Sequence, residues 1–542
     1  MRMRQVKGHI IHLILVIVFV SSCGSSSFKT SSSSSSSSTT EGTTTQAIGG
    51  SVSAITITDS VVSVPLSNLS DEDSVVLMLF AYRESGSSFS YQVGSLNENF
   101  ADSSLMVKSL TADDEDLDED LTDSFHAFLR GQEATLDPDA ELVDGDGSGK
   151  YLTKNLTIGY QKTFKVLNSF SGGGSYDTVT ATLRFQTEAL QLYVDNRNAS
   201  ALDDEDLETL AIEYEAVLPL EHELFGEVSD VNNDGKVAVL FTQTVNQIGA
   251  SLGGMVTGFF YAVDLFDEDQ YEISNAMEII YSFVPDTLGE IGASVSKGFA
   301  MTNIYPGVLS HEMQHVINFN MHYNLNSSSA EEGWLNEGLS HLAEDIYSAN
   351  EQGYMTATGM ENPARVDSYL DNINSSCFIC GTSLTQRGGS YLFMRYLYEQ
   401  AEKGNLTGSY SGKNLLEQLL DTNIRGIDNV VNAAMGSGGD ETDFKSLLGL
   451  FGLAVYMSNT GNSNDDRLGF DGINLRSSQD DNRGTVLNGP AVQGISTFPY
   501  SDTVTGSGLN YIQLNGSTIN DDDGVLSIQV GETGVFGGYL IQ

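Results

Sequence analysis

A chain of 542 residues exceeds one comfortable hydrophobic core, so two or three domains are expected. With 40% hydrophobic residues it has ample material for globular packing, yet 73 Asp and Glu face only 25 Lys and Arg, a formal net charge of -48. Such a surface repels nucleic acid and anionic lipid headgroups, which excludes nucleic acid as a partner and leaves only covalent or apolar attachment to a membrane.

Met1 to Lys7 carries the positive charge of a signal-peptide n-region, and Ile10 to Val20 is an apolar run too short to span a bilayer as a mature helix. Its end, Val20-Ser21-Ser22-Cys23, resembles the lipobox of bacterial lipoproteins. That resemblance implies cleavage after a signal peptide of residues 1–22, diacylation of Cys23, and a place at the bacterial cell envelope or surface. Two acyl chains give the stable anchoring that one does not. An ordinary signal peptide with an incidental cysteine is the competing reading. Residues 23–45, dominated by Ser31 to Ser38, bury nothing and read as a tether.

From residue 46 to 195 the chain reads as a small β-rich domain. Val52 to Thr58 and Val75 to Tyr82 are β-branched and aromatic runs between Gly, Ser and Asn breaks. Thr163 to Val166, Thr178 to Phe185 and Leu190 to Val194 alternate as strands do and are expected to complete the same domain. The acidic run Asp113 to Asp120 offers carboxylates to Ca²⁺ but reads first as solvated linker or helix start. Asp144 to Gly149 reads as a turn-rich loop.

Residues 196–476 read as the domain that carries the chemistry. A helix is expected through Leu207, Leu210, Ala211, Tyr214, Val217 and Leu218, with Asp203 or Asp204 as its N-cap. Asp230-Val-Asn-Asn-Asp-Gly235 matches the first half of an EF-hand loop, yet its twelfth position is Phe241 rather than Glu. It therefore reads first as a turn entering the strand Val237 to Thr242, with Ca²⁺ as the alternative. Met255 to Ala262 and Met277 to Phe283 are further strand candidates.

The stretch Ser310-His-Glu-Met-Gln-His-Val-Ile-Asn-Phe319 contains HExxH on a helical pattern. Leu309, Met313, Val316 and Ile317 form its core stripe, and His311 and His315, four apart, share one face and can offer two imidazoles to one Zn²⁺. Glu312 stands beside them as a candidate general base. A second helical pattern, Glu331 to Glu344, keeps Leu335, Leu339, Leu342 and Ile346 on its core face and leaves Glu337, His341 and Glu344 on another. Glu337 follows His315 by enough chain for a reversal, so it is the candidate third ligand. Two His and one Glu would leave a fourth position open for water, the catalytic form of such a site. The longer motif HExxHxxGxxH fails, because Asn318 and Met321 occupy its last two positions.

These blocks, with Trp334-Leu-Asn-Glu-Gly-Leu-Ser-His341, Ser229 to Val237, Ser274 to Tyr281 and Ser390-Tyr-Leu-Phe-Met-Arg-Tyr396, resemble the hyicolysin family of bacterial zinc metallopeptidases, whose ligand pattern is related to thermolysin-like gluzincins. The resemblance implies an α+β, thermolysin-like catalytic domain with a mainly helical lower half. It also implies zinc on His311, His315 and Glu337, with Glu312 as catalytic carboxylate and a protein or peptide as substrate. One departure is that His341 stands where thermolysin-like enzymes place an acidic residue four after the third ligand, so support for a zinc histidine is sought at Glu344 or Asp345. Tyr391, Arg395 and His341 are the candidates for stabilising an oxyanion. By analogy with the thermolysin-like strand that aligns substrate, Met255 to Ala262 or Met277 to Phe283 would take that part.

Gly389 to Ala401, Leu415 to Leu420, Ile427 to Ala434 and Phe444 to Met457 read as helices closing this domain. Cys377 and Cys380 read as a small-loop disulfide in an exported protein. Residues 477–542 read as a β-rich C-terminal segment. Taken together, the sequence describes a lipid-anchored zinc metalloendopeptidase. The alternative is a surface lipoprotein that retains the fold mainly as an adhesin or binding module.

Overall fold

The structure, a computed structural model, describes residues 46–47, 52–66, 69–94, 117–138, 140–143, 156–170, 174–349, 361–436, 441–481 and 484–542. The leader, Cys23 and the tether to residue 45 lie outside the described residues, as do 113–116 of the acidic run and the loop 144–149. The described chain falls within one compact unit, Thr43–Gln542, that combines helices with three sheets in an α+β architecture. No helix among the described residues is long and apolar enough to cross a membrane.

Six strands form the sheet nearest the HExxH motif, in the order Gly258–Phe260, Ile279–Ser282, Val237–Phe241, Leu190–Asp195, Ser175–Gln186 and Gln161–Ser169. Val237–Phe241 pairs in parallel with both of its neighbours. These three strands are buried along their whole length, which explains why Val-Ala-Val-Leu-Phe shows no alternation. Gly258–Phe260 pairs only with Ile279–Ser282 and is the sheet's edge beside the motif. The helix Asp204–Phe225 packs against the HExxH helix, Tyr305–Phe319. Asp203 is its N-cap: it accepts from Asp206 N–H at 3.0 Å while the Asp206 carboxylate accepts from Asp203 N–H at 2.8 Å.

The strands between 46 and 195 divide between two places. Gln161–Ser169, Ser175–Gln186 and Leu190–Asp195 belong to the site's sheet. The strands between 46 and 93 instead interleave with those between 492 and 541. One sheet runs Gln46–Ala47, Val52–Ile55, Phe536–Ile541, Ser74–Ala81, Leu509–Asn515, Val492–Ile495, and the other Tyr500–Thr505, Ser88–Val93, Val525–Val530, Val61–Pro65. The β-rich C-terminal segment thus forms a two-sheet module with the first strands of the chain. Local pattern identifies strands, but pairing across more than 400 residues of chain leaves no local mark.

Ser74–Ala81 shows why the module needs both ends of the chain. Val75, Leu77 and Leu79 point into the core between the two sheets, while Val76, Met78 and Phe80 point to the helical core. Glycines 449 and 452 on the helix Glu441–Met457 admit that contact, since a side chain at either would meet Tyr539, Phe80 or Met78 within about 3 Å. From Gly333 to Met457 every regular element among the described residues is a helix, including Asn362–Asp371, Leu384–Glu402, Gly412–Leu420 and Gly426–Met435.

One buried acid ties the Asp204–Phe225 helix to the HExxH helix. Glu221 is fully buried and accepts from Tyr214 Oη at 2.9 Å and from Ser310 Oγ. Burial pushes its carboxyl up to about 8, outweighing both hydrogen bonds. Because the folded value lies above the unfolded one, the folded state holds the extra proton, and stability is lost as pH rises from about 4.5 to about 8. Glu221→Gln removes this titration. Calorimetric midpoints of metal-free protein should therefore fall less across pH 5 to 8.5 in the variant, by up to about 1.4 kcal/mol per pH unit. Parallel curves for the two proteins would show that Glu221 is ionised throughout.

Candidate metal centre

The HExxH helix, Tyr305–Phe319, begins with Pro306 in its first turn, where the missing N–H costs nothing. Leu309, Met313, Val316 and Ile317 are buried, so the expected stripe faces the core. The helix lies against the edge strand at Gly258. A Cβ there would stand 2.6 Å from Val308 Cγ1 and 2.9 Å from the Tyr281 carbonyl, so only glycine permits the approach. That closeness lets Phe260 N–H donate to Glu312 Oε2 at 2.8 Å. Phe260 also accepts from Arg130 Nη2 at 3.5 Å.

The helix runs on as a π-helical turn through Asn320–Leu325, and after an irregular stretch the chain re-enters helix at Gly333–Ala349, packed beside the first. Leu335, Leu339 and Leu342 turn to the core, and Glu337 turns to the histidines. His311 Nε2 lies 3.1 Å from His315 Nε2 and 3.6 Å from Glu337 Oε2, and His315 Nε2 lies 3.6 Å from Glu337 Oε1. Metal bonds of about 2.0–2.1 Å in a tetrahedron place ligand atoms about 3.3 Å apart, so these separations fit one small dication. His311, His315 and Glu337 are one of two groups among the described residues that could hold a metal.

Glu337 is fully buried, and neither carboxylate oxygen has a hydrogen-bond partner among the described residues. Around it stand Arg387 Nη1 at 3.8 Å, and His126 Nδ1, Arg130 Nε and His341 Nε2 each at 3.9 Å. Burial alone would push its carboxyl up, but the His311 contact and the surrounding positive groups hold it well below the usual range. An orphaned, ionised oxygen pair beside two imidazole nitrogens is the donor set that a cation completes.

The second group, His311, His341 and Glu344, is held by hydrogen bonds. Glu344 Oε1 lies 3.0 Å from His311 Nδ1 and 2.7 Å from His341 Nδ1, and its other oxygen accepts from Arg365 at 3.2 Å. The Arg365 guanidinium already supplies the cation there. Glu344 therefore orients His311, as carboxylates orient metal-bound imidazoles. For His315 the partners are the Asn336 amide oxygen at 2.9 Å and Ser340 Oγ at 3.0 Å. Burial opposes charge on both rings. Contacts with Glu337 and Glu344 nevertheless raise His311 to about 9, while Arg130 helps drive His315 well below its ordinary value. A metal bound here would have to displace the His311 proton.

The remaining sequence candidates lie apart from the triad. Asp345 accepts from Tyr391 Oη at 2.8 Å, from Arg395 Nη1 and from Asn362 at 3.0 Å. Tyr391 and Arg395 are fully buried in that network, so they brace the helix Leu384–Glu402 instead of facing an oxyanion. His322 lies 3.6 Å from Glu331. Cys377 and Cys380 are disulfide-bonded with Cα atoms 5.3 Å apart. Sequence reasoning missed His126 and Arg130, which come from the helix Leu117–Thr135, and Arg387. It also missed Asn336, whose place directly before Glu337 in a quoted block was an available signal.

No family model matches the chain. Among curated proteins it is similar to the neutral metalloprotease ShpI of Staphylococcus hyicus, with 29% identity over 201 residues. The match covers 34% of this chain and 40% of that protein, so the chain spans about two fifths of its relative's length. The chain thus resembles the hyicolysin family of metallopeptidases.

Proposed function

We propose that this chain is a zinc metalloendopeptidase of gluzincin type, with His311, His315 and Glu337 as ligands and Glu312 as the catalytic carboxylate in a thermolysin-like catalytic domain. The observation that carries the reading is the buried, unpaired Glu337 carboxylate 3.6 Å from both HExxH imidazoles. Zinc bound there would polarise the scissile carbonyl and acidify an attacking water. Glu312 takes the proton from that water and delivers it to the leaving amine. Its burial raises the carboxyl above the ordinary value, which favours accepting the proton, and the Phe260 N–H fixes which oxygen remains available. Of the two strands considered for aligning substrate, Gly258–Phe260 lies at the edge and Ile279–Ser282 inside; Phe260 already gives its N–H to Glu312 and its carbonyl to Arg130, so neither strand is assigned that part. Arg130 is the donor assigned to the developing oxyanion: its Nε and Nη1 have no hydrogen-bond partners, and it borders Glu337. Cys23, lipidated, would hold the enzyme at the bacterial envelope.

Removing one carboxylate oxygen's charge tests the ligand set. Glu337→Gln should lose most zinc on dialysis, while His341→Ala and His322→Ala should keep it, as read by elemental analysis. Zinc lost from His341→Ala but kept by Glu337→Gln would reverse the assignment.

Glu312→Gln should retain zinc, because the three ligands are untouched, yet cleave unfolded protein about 10²- to 10⁴-fold more slowly. Zinc-loaded wild type that cleaves no broad substrate would move the reading to an adhesin or binding module.

Cys23→Ala should move the protein from the detergent phase to water, or block its maturation. Identical partitioning and identical N-termini for both proteins would dismiss the lipid anchor.

A further inference from the structure

The loop Asp230-Val-Asn-Asn-Asp-Gly-Lys236 folds tightly at the entrance to Val237–Phe241. Gly235 N–H donates to Asp230 Oδ1 at 3.0 Å, Asp234 N–H to Asn232 Oδ1 at 3.1 Å, and Lys236 N–H to Asp234 Oδ1 at 2.8 Å. Asn233 and Gly235 have φ of 56° and 71°, so the chain turns sharply where an EF-hand loop needs its glycine. The turn explains this much without any ligand. What it leaves unexplained is Glu278.

Glu278 is fully buried, one residue before the strand Ile279–Ser282, which runs parallel to Val237–Phe241. Its backbone carbonyl accepts from Ala238 N–H at 2.9 Å, which sets it beside the loop's exit. Its Oε1 reaches into the loop and accepts from Val231 N–H at 2.9 Å, while Oε2 has no hydrogen-bond partner among the described residues. Asn232, only 2% exposed, is buried with it. An ionised oxygen in this setting is costly: burial pushes the carboxyl up to about 7 against the Ser229 hydroxyl and the Val231 N–H, and a cation at Oε2 would relieve that cost. The loop's own lysine does not: Lys236 Nζ turns to the carbonyls of Thr187 and, at 2.8 Å, Glu188.

In an EF-hand loop, positions 1, 3 and 5 give side-chain oxygens, position 7 a backbone carbonyl, and position 12 a bidentate glutamate. Here positions 1, 3, 5 and 7 are Asp230, Asn232, Asp234 and Lys236, and position 12 is the buried strand residue Phe241. We propose that Glu278, from the neighbouring strand, supplies the missing carboxylate and that the loop with Glu278 binds one calcium ion. The donors are all oxygen, drawn from carboxylates, a neutral amide and a backbone carbonyl, which suits calcium and not the hydrated octahedron that magnesium demands. Calcium there fastens the entrance of Val237–Phe241 to that of Ile279–Ser282, and the latter carries the edge strand Gly258–Phe260.

The test uses the full chain, dialysed into calcium-free buffer with zinc kept present, and neither readout depends on proteolysis. Terbium provides the probe, because Tyr193 can sensitise it: Tyr193 Oη donates to Gln191 at 3.0 Å, and Gln191 Nε2 reaches Asp234 at 3.4 Å. Calcium should displace one terbium with a Kd of roughly 10⁻⁶ to 10⁻⁴ M and raise the melting temperature, and equal magnesium should do neither. Glu278→Gln and Asp230→Asn should each weaken calcium at least about tenfold, the discrimination expected when a charged ligand is lost. In calcium-free buffer Glu278→Gln should melt no lower than wild type, which separates loss of a ligand from loss of the fold. If that variant fails to fold, Asp230→Asn decides. Wild-type affinity in the folded variants, or no response to millimolar calcium, would overturn the site and leave only diffuse binding to an acidic surface.

Discussion

Glu337 is the constraint around which the described structure is arranged. A carboxylate stripped of water and of hydrogen bonds costs several kcal/mol unless positive charge surrounds it. Arg130 of Leu117–Thr135, His311 of Tyr305–Phe319 and Arg387 of Leu384–Glu402 meet that demand. His126, His315 and His341, held well below the ordinary imidazole value by burial, stand around it as neutral rings. None of the fixed groups comes within hydrogen-bonding distance. The gap that remains has the dimensions of an ion, and closing it by collapse is prevented by how the helices are themselves braced.

That bracing uses two consecutive residues of one helix. Glu344 and Asp345 point about 100° apart, so one serves the centre and the other the scaffold. Glu344 engages His311, His341 and Arg365, while Asp345 engages Tyr391, Arg395 and Asn362. The scaffold helices also pack backbone to backbone. A Cβ on Gly388 would fall 2.0 Å from the Arg365 carbonyl, and one on Gly338 would lie 3.2 Å from that of Ser390. Arg365 therefore reaches Glu344 from a helix whose distance is set by glycine.

How much of this was legible in the sequence follows the range of the interactions. His311, His315 and Glu337 share faces set by helical periodicity, and the turn between the helices is short, so local pattern brought them together on paper. Asp203 was legible as one of two caps for the same reason. The support of His311 was narrowed to Glu344 or Asp345, and only the rotation of the helix in its packed state separates them. Tyr391 and Arg395 stood with His341 as oxyanion candidates because a buried Asp partner 46 to 50 residues away leaves no mark in their own helix. The same limit hid the approach of His126 and Arg130 from a helix nearly two hundred residues upstream. It also hid the union of the first and last strands in one module.

The edge strand shows how the sheet sets the position of the HExxH helix and of Glu312 upon it. Three consecutive residues carry it. Gly258 yields the space in which the HExxH helix lies, Phe259 stacks on Tyr281 with ring centroids 4.6 Å apart, and Phe260 spends its N–H on Glu312 and its carbonyl on Arg130. Tyr281 is fixed in turn, since its hydroxyl donates to Asp264 at 2.7 Å and Asp264 accepts from Asn275 at 2.8 Å. The orientation of Glu312 is therefore inherited from the sheet. The metal-facing histidines take theirs from the helices, through Glu344, Asn336 and Ser340. Glu312 and the two histidines are positioned by separate halves of the structure that meet at the HExxH helix, and its close contact with a glycine on one side and with Glu337 on the other keeps the two in step.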